Sequence, residues 1–165
     1  MSTLVAAGAP GDRPATSRRG AGRPLTLYAE SSAVLAWLLT EPAGDAVREA
    51  LGGAERVVAS DLTLVECDRV LIRAHVSGRI SEAGAAELRA RLNEAAAAWS
   101  LLRLRADVIE RDRARFPGEP LRTLDALHLA SALMVRAAAG PLALLSLDQR
   151  IRAIGRELGF EVHPA

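Results

Sequence analysis

Five short apolar runs, at 25–29, 56–59, 99–104, 142–146 and 160–163, are separated by segments long enough to be helices. Strands joined by helices of ten or more residues cannot form hairpins. They must pair through βαβ crossovers, which build a mainly parallel sheet covered on both faces. The connecting segments carry helix punctuation. Ser31 and Ser32 are expected to cap a helix over 33–39, Ser60 or Asp61 one reaching about His75, Ser81 one reaching about Ala97, and Thr123 one reaching about Ala138. Shorter helices are expected over 42–51, 106–116 and 147–158. Residues 25–165 thus read as one α/β domain.

Four carboxylates interrupt these apolar segments: Glu30, Glu66, Asp125 and Asp148. Glu30 directly follows the first strand and Asp148 follows the fourth. Asp125 falls in the first turn of its helix. In an open α/β sheet, sites form beyond the carboxyl ends of the strands, so Glu30 and Asp148 fall on that edge. Glu66 reaches it only if its helix leans over the sheet. Gathered in one pocket, such acids repel by roughly 4 kcal/mol per pair at 4 Å and an effective dielectric of about 20, which a divalent cation relieves. The competing account is a helix-end role for Glu30, Asp125 and Asp148, and a solvated pairing with Arg69 or Arg73 for Glu66. His128, one turn after Asp125, reads as a packed histidine.

Composition removes other chemistries. All 21 basic residues are arginine, which excludes Schiff-base lysines and a Walker-type phosphate clamp. It also excludes a phospho-accepting receiver domain, whose phosphoryl group needs a lysine. The formal net charge is +1, so no global attraction to nucleic acid exists, although arginine suits phosphate backbones. Tyr28, Trp37, Trp99, Phe116 and Phe160 are too few for a base-stacking platform. A single cysteine, Cys67, fits a reducing, cytoplasmic setting and reads as a buried thiol. The longest apolar stretch, 126–147, is broken by His128, Arg136 and Gly140-Pro141, so no membrane span is expected. Residues 1–24, rich in Ala, Gly, Pro, Ser and Arg, read as a disordered extension.

Together four segments resemble the PIN-domain ribonucleases, in particular the VapC-type toxins of bacterial toxin–antitoxin pairs. They are a strand ending in an acid and serines (27–33, LYAESSA), a helix with an internal Glu (62–66, LTLVE), the run DALHLA (125–130), and a strand followed by Ser-Leu-Asp (145–148, LSLD). The resemblance covers about 25–163 and implies a three-layer α/β/α fold with a central five-stranded sheet. It further implies metal-dependent endoribonuclease activity with Mg²⁺ or Mn²⁺, a homodimer, and a cognate antitoxin bound over 45–51 and 61–97. Glu30, Glu66, Asp125 and Asp148 are then the catalytic and metal-binding set, with Ser32 and Ser146 supporting them by hydrogen bonds. Glu30 stands where the family usually has Asp, which moves the carboxylate out by one methylene. The alternative is a catalytically degenerate PIN fold acting as a binding or scaffold module.

Overall fold

The computed structural model describes residues 25–165; the extension expected over 1–24 lies outside them. Five strands, β1 (Thr26–Ala29), β2 (Arg56–Ser60), β3 (Ser100–Leu102), β4 (Ala143–Leu145) and β5 (Glu161–His163), form one sheet in the order β3-β2-β1-β4-β5. Every pairing is parallel, with Thr26 opposite Arg56, Leu27 opposite Ala143, Val58 opposite Ser100 and Leu144 opposite Val162. The expected mainly parallel sheet is thus parallel throughout the described residues. The chain winds outward from β1 to β2 and β3, then returns to place β4 and β5 on the other side of β1. The reversal between β1 and β4 is the switch point at which such sheets open a crevice.

Alternation along the strands assigns each side chain to one of two cores. Leu27, Ala29, Ala59, Ala143 and Leu145 face α1 (Ser31–Leu38), α2 (Gly44–Gly53), α3 (Asp61–Val76) and α4 (Glu82–Ala97) through Val34, Leu38, Val47, Cys67 and Leu92. Tyr28, Val58 and Leu144 face α5 (Ala106–Asp112), α6 (Thr123–Ala139) and α7 (Gln149–Glu157) through Val108, Leu129, Ala132, Ile151 and Ile154. This is the expected three-layer α/β/α sandwich. Cys67 is buried as expected, and burial pushes its thiol pKa up, as do the charges of Glu30, Glu66 and Asp68. Where α7 crosses β4, a Cβ on Gly155 would lie 2.6 Å from Leu144 Cδ2, so the close approach requires glycine. Gly140, at φ 89°, ends α6 in a conformation that favours glycine.

Two helix starts differ from the expectation. Glu30, extended at φ −86° and ψ 155°, is the N-cap of α1, and its own carboxylate accepts from Ser32 N–H; Ser31 and Ser32 lie inside the helix. Arg122 precedes α6 without a side-chain capping bond, so Thr123 is the first helical residue and not the cap. The caps Ser60 and Ser81 are as expected, accepting from Thr63 N–H and Gly84 N–H.

Candidate active site

The carboxyl ends of β1 and β4 are joined by Glu30 N–H donating to Leu145 O at 2.9 Å. Glu30 therefore sits at the switch point, and Ser146 and Asp148 follow β4 beside it. The Glu30 side chain is 3% exposed. Burying a carboxylate is costly unless it is hydrogen-bonded, and here both oxygens are. Oε1 accepts from Ser31 Oγ at 2.8 Å and Ser32 N–H at 3.0 Å; Oε2 accepts from Ser146 Oγ at 2.7 Å and from Ser32 Oγ. The extra methylene of glutamate is used to curl the carboxylate back over α1 into this serine cage.

Ser32 does more than support Glu30. Its Oγ accepts from the backbone N–H of Leu147 at 2.9 Å and of Asp148 at 3.0 Å. One hydroxyl thus ties the β1–α1 corner to the β4–α7 corner.

Glu66 projects from α3 over the same edge. Ser31 Oγ lies within hydrogen-bond distance of both Glu30 Oε1 and Glu66 Oε2, at 2.8 and 2.9 Å. His128 Nε2 reaches Glu66 Oε2 at 2.5 Å, and its Nδ1 lies 3.1 Å from the Tyr28 hydroxyl, which donates to Ser60 Oγ at 3.1 Å. Burial of Glu66 raises its pKa. The hydrogen bond and charge of His128, the hydroxyl of Ser31 and the charge of Arg122 outweigh this and hold it below the usual carboxylate value. Burial also pushes the Tyr28 phenol up, so it remains neutral.

Asp125, in the first turn of α6, and Asp148, the N-cap of α7, share one cation. Arg122 Nε donates to Asp125 Oδ2 at 2.8 Å and Nη2 to Asp148 Oδ2 at 2.9 Å. Asp148 Oδ1 is used otherwise, accepting from Arg150 N–H at 2.8 Å and Ile151 N–H at 3.2 Å. Arg152, itself buried, anchors the loop before Asp148. It donates to the carbonyls of Ser146 at 2.8 Å, His163 at 3.2 Å and Pro164 at 2.9 Å.

The six residues singled out in the sequence are therefore linked, in two halves. Glu30, Glu66 and His128 present ligand atoms all within 4.8 Å of one another. Asp125 and Asp148 form the second half around Arg122. The halves meet through Ser32, and through α6, which carries both Asp125 and His128. The donor set suits a hard divalent cation: it is rich in carboxylate oxygen, and among the described residues Glu66 Oε1 takes no hydrogen bond. His128 is packed, as expected, yet it also joins the acids. Arg122, Ser31 and Tyr28 were not singled out as site residues. The available signal for Arg122 was its position three residues before Asp125.

A model described as the PIN domain matches residues 27–157, nearly the whole described chain. Ribonuclease VapC46 of Mycobacterium tuberculosis is 34% identical over 136 residues, covering 82% of this chain and 95% of that protein. The chain belongs to the PIN-domain family. Solved structures agree on the PIN fold. The M. tuberculosis toxin VapC20, whose structure is described as cleaving the sarcin–ricin loop, superposes with a TM-score of 0.58 at 17% identity. The match covers 84% of this chain and 99% of that one. The VapBC2 complex of Rickettsia felis, bound to a DNA fragment from its promoter, gives 0.56 at 11% identity, covering 84% and 98%. In this PIN domain no described helix is long and apolar enough to cross a membrane.

Proposed function

We propose that the protein is a Mg²⁺- or Mn²⁺-dependent endoribonuclease, the toxin of a toxin–antitoxin pair. The observation that supports this reading is the grouping of Glu30 and Glu66 with His128 at the β1–β4 switch point, beside Asp125 and Asp148 around Arg122, in a chain that belongs to the PIN family and matches a ribonuclease over most of its length. Glu30, Glu66, Asp125 and Asp148 would hold the cation, and Ser32 and Ser146 fix the Glu30 carboxylate. When bound, the cation lowers the pKa of attacking water and stabilises the charged phosphoryl transition state. The protein's own contribution is placement. Serine hydroxyls and His128 set the carboxylates beforehand, so little reorganisation remains for the reaction. A cytoplasmic homodimer held in check by a cognate antitoxin completes the reading; the antitoxin has support in the likeness to the VapBC2 structure.

The test is cleavage of RNA by purified protein with Mg²⁺ or Mn²⁺, with excess chelator, and after Asp148→Asn. Cleavage lost in chelator and in the variant is expected; undiminished cleavage in either overturns the metal mechanism. Sequencing RNA 5′ ends after expression of the chain alone separates a nuclease from a scaffold. New ends are expected, and their absence favours the scaffold.

A further inference from the structure

Asp148 has one oxygen to offer a cation. Oδ1 caps α7 through two backbone N–H groups, which leaves Oδ2, and that is the oxygen Arg122 Nη2 holds at 2.9 Å. The same guanidinium holds Asp125 Oδ2 at 2.8 Å through Nε. A divalent cation at Asp148 needs the atom the arginine already occupies, while Asp125 Oδ1 takes no hydrogen bond among the described residues.

The two nitrogen-bearing partners of the acids, His128 and Arg122, differ in how easily they can leave. His128 is 2% exposed and wedged against Tyr28, whereas the Arg122 side chain is 59% exposed at the mouth of the crevice. Arg122 can swing away without opening either core. Ion pairs of such exposed groups are weak, and a guanidinium fork matches phosphate as well as it matches carboxylate. An RNA phosphate brought to the acids for cleavage arrives within the reach of this side chain.

We propose that Arg122 has two partners in turn: it bridges Asp125 and Asp148 in the cation-free protein, then yields Asp148 Oδ2 to the divalent cation and binds an RNA phosphate beside the two aspartates. Arg122 is thereby both a competitor of the metal and a substrate contact. The inference rests on the reading of these acids as the cation site.

The test compares full-length wild type with Arg122→Gln, Arg122→Lys and Asp148→Asn. Mn²⁺ binding is measured without RNA by electron paramagnetic resonance. Binding of a fluorescent single-stranded RNA of mixed sequence is measured by anisotropy in Ca²⁺ at rising salt. Arg122→Gln is expected to bind Mn²⁺ several-fold tighter and RNA about tenfold more weakly, with a log–log salt slope shallower by roughly 0.7, as for one lost phosphate contact. Arg122→Lys is expected to keep the slope. Unchanged or weaker Mn²⁺ binding by Arg122→Gln overturns the competition, and unchanged RNA affinity and slope overturn the phosphate contact. Asp148→Asn distinguishes the two levels. If it loses Mn²⁺ while Arg122→Gln behaves as wild type, only this inference falls. If it binds Mn²⁺ like wild type, the cation-site reading falls, and the inference with it.

Discussion

The two halves of the acidic site hold their carboxylates in opposite ways. Glu30 and Glu66 are served by groups built into the fold: three serine hydroxyls and the buried imidazole of His128, itself placed by Tyr28. Asp125 and Asp148 are served by one exposed guanidinium. The inner half is preorganised by groups fixed in the fold, with Glu66 Oε1 left open. The outer half is assembled around a group that solvent or a ligand can replace. The site thus combines a fixed floor with an adjustable rim.

The largest effect should come from the rim. Asp148→Asn and Asp125→Asn are expected to lower RNA cleavage by roughly 10²–10³-fold, the usual scale for deleting one preorganised electrostatic contact. Asparagine caps helices as well as aspartate, so Asp148→Asn should melt close to wild type; a large drop in melting temperature would mean that Asp148 is chiefly structural. On the floor, His128→Leu takes one partner each from Glu66 and Tyr28, leaving them Ser31 and Ser60. A loss of roughly 10–100-fold in Mn²⁺ affinity or activity is expected, as for other groups that orient metal ligands. Destabilisation of about 1–3 kcal/mol should accompany it. Partial recovery of Mn²⁺ affinity in His128→Gln would separate orientation from packing, and no difference between the two variants would count against the orienting role.

Ser32→Ala removes the hydroxyl that joins floor and rim. It leaves two backbone N–H groups and one carboxylate oxygen short of a partner, which should cost about 1–3 kcal/mol in urea denaturation. Unchanged stability would show that the two halves stand independently. The smallest effect is on pH dependence. The pKa of Glu66 is held below its ordinary 4.5, so its contribution to stability is present above that value and is lost as pH falls through the folded one. In His128→Leu burial acts with less opposition, so the Glu66 contribution should shrink and be lost at a higher pH. Urea melts between pH 3 and 7 for both proteins measure the difference, and parallel curves would refute the dependence of Glu66 on His128.

The order of strands and helices was legible in the sequence because period-2 and helical patterns are local. The strand order was not, since the return of the chain to place β4 beside β1 depends on pairings more than a hundred residues apart. Glu30, Glu66, Asp125 and Asp148 could be found because charge is conspicuous in apolar surroundings. Arg122 offered only its spacing of three from Asp125, and an arginine after Pro120 reads as a loop residue in water until both aspartates are seen to face it. Ser31 was read as a backbone cap, and Ser32 both as a cap and as a support for the carboxylates. Glu30 took the capping role itself, and both serines hold carboxylates from inside the helix. His128 satisfied the expectation of burial, which concealed its second contact.

Arg152 binds the Ser146 carbonyl on one side and those of residues 163 and 164 on the other. The edge strand β5 is thereby wired to the loop that presents Asp148. Damage at the border of the sheet would be felt at the crevice, although β5 supplies none of the four acids.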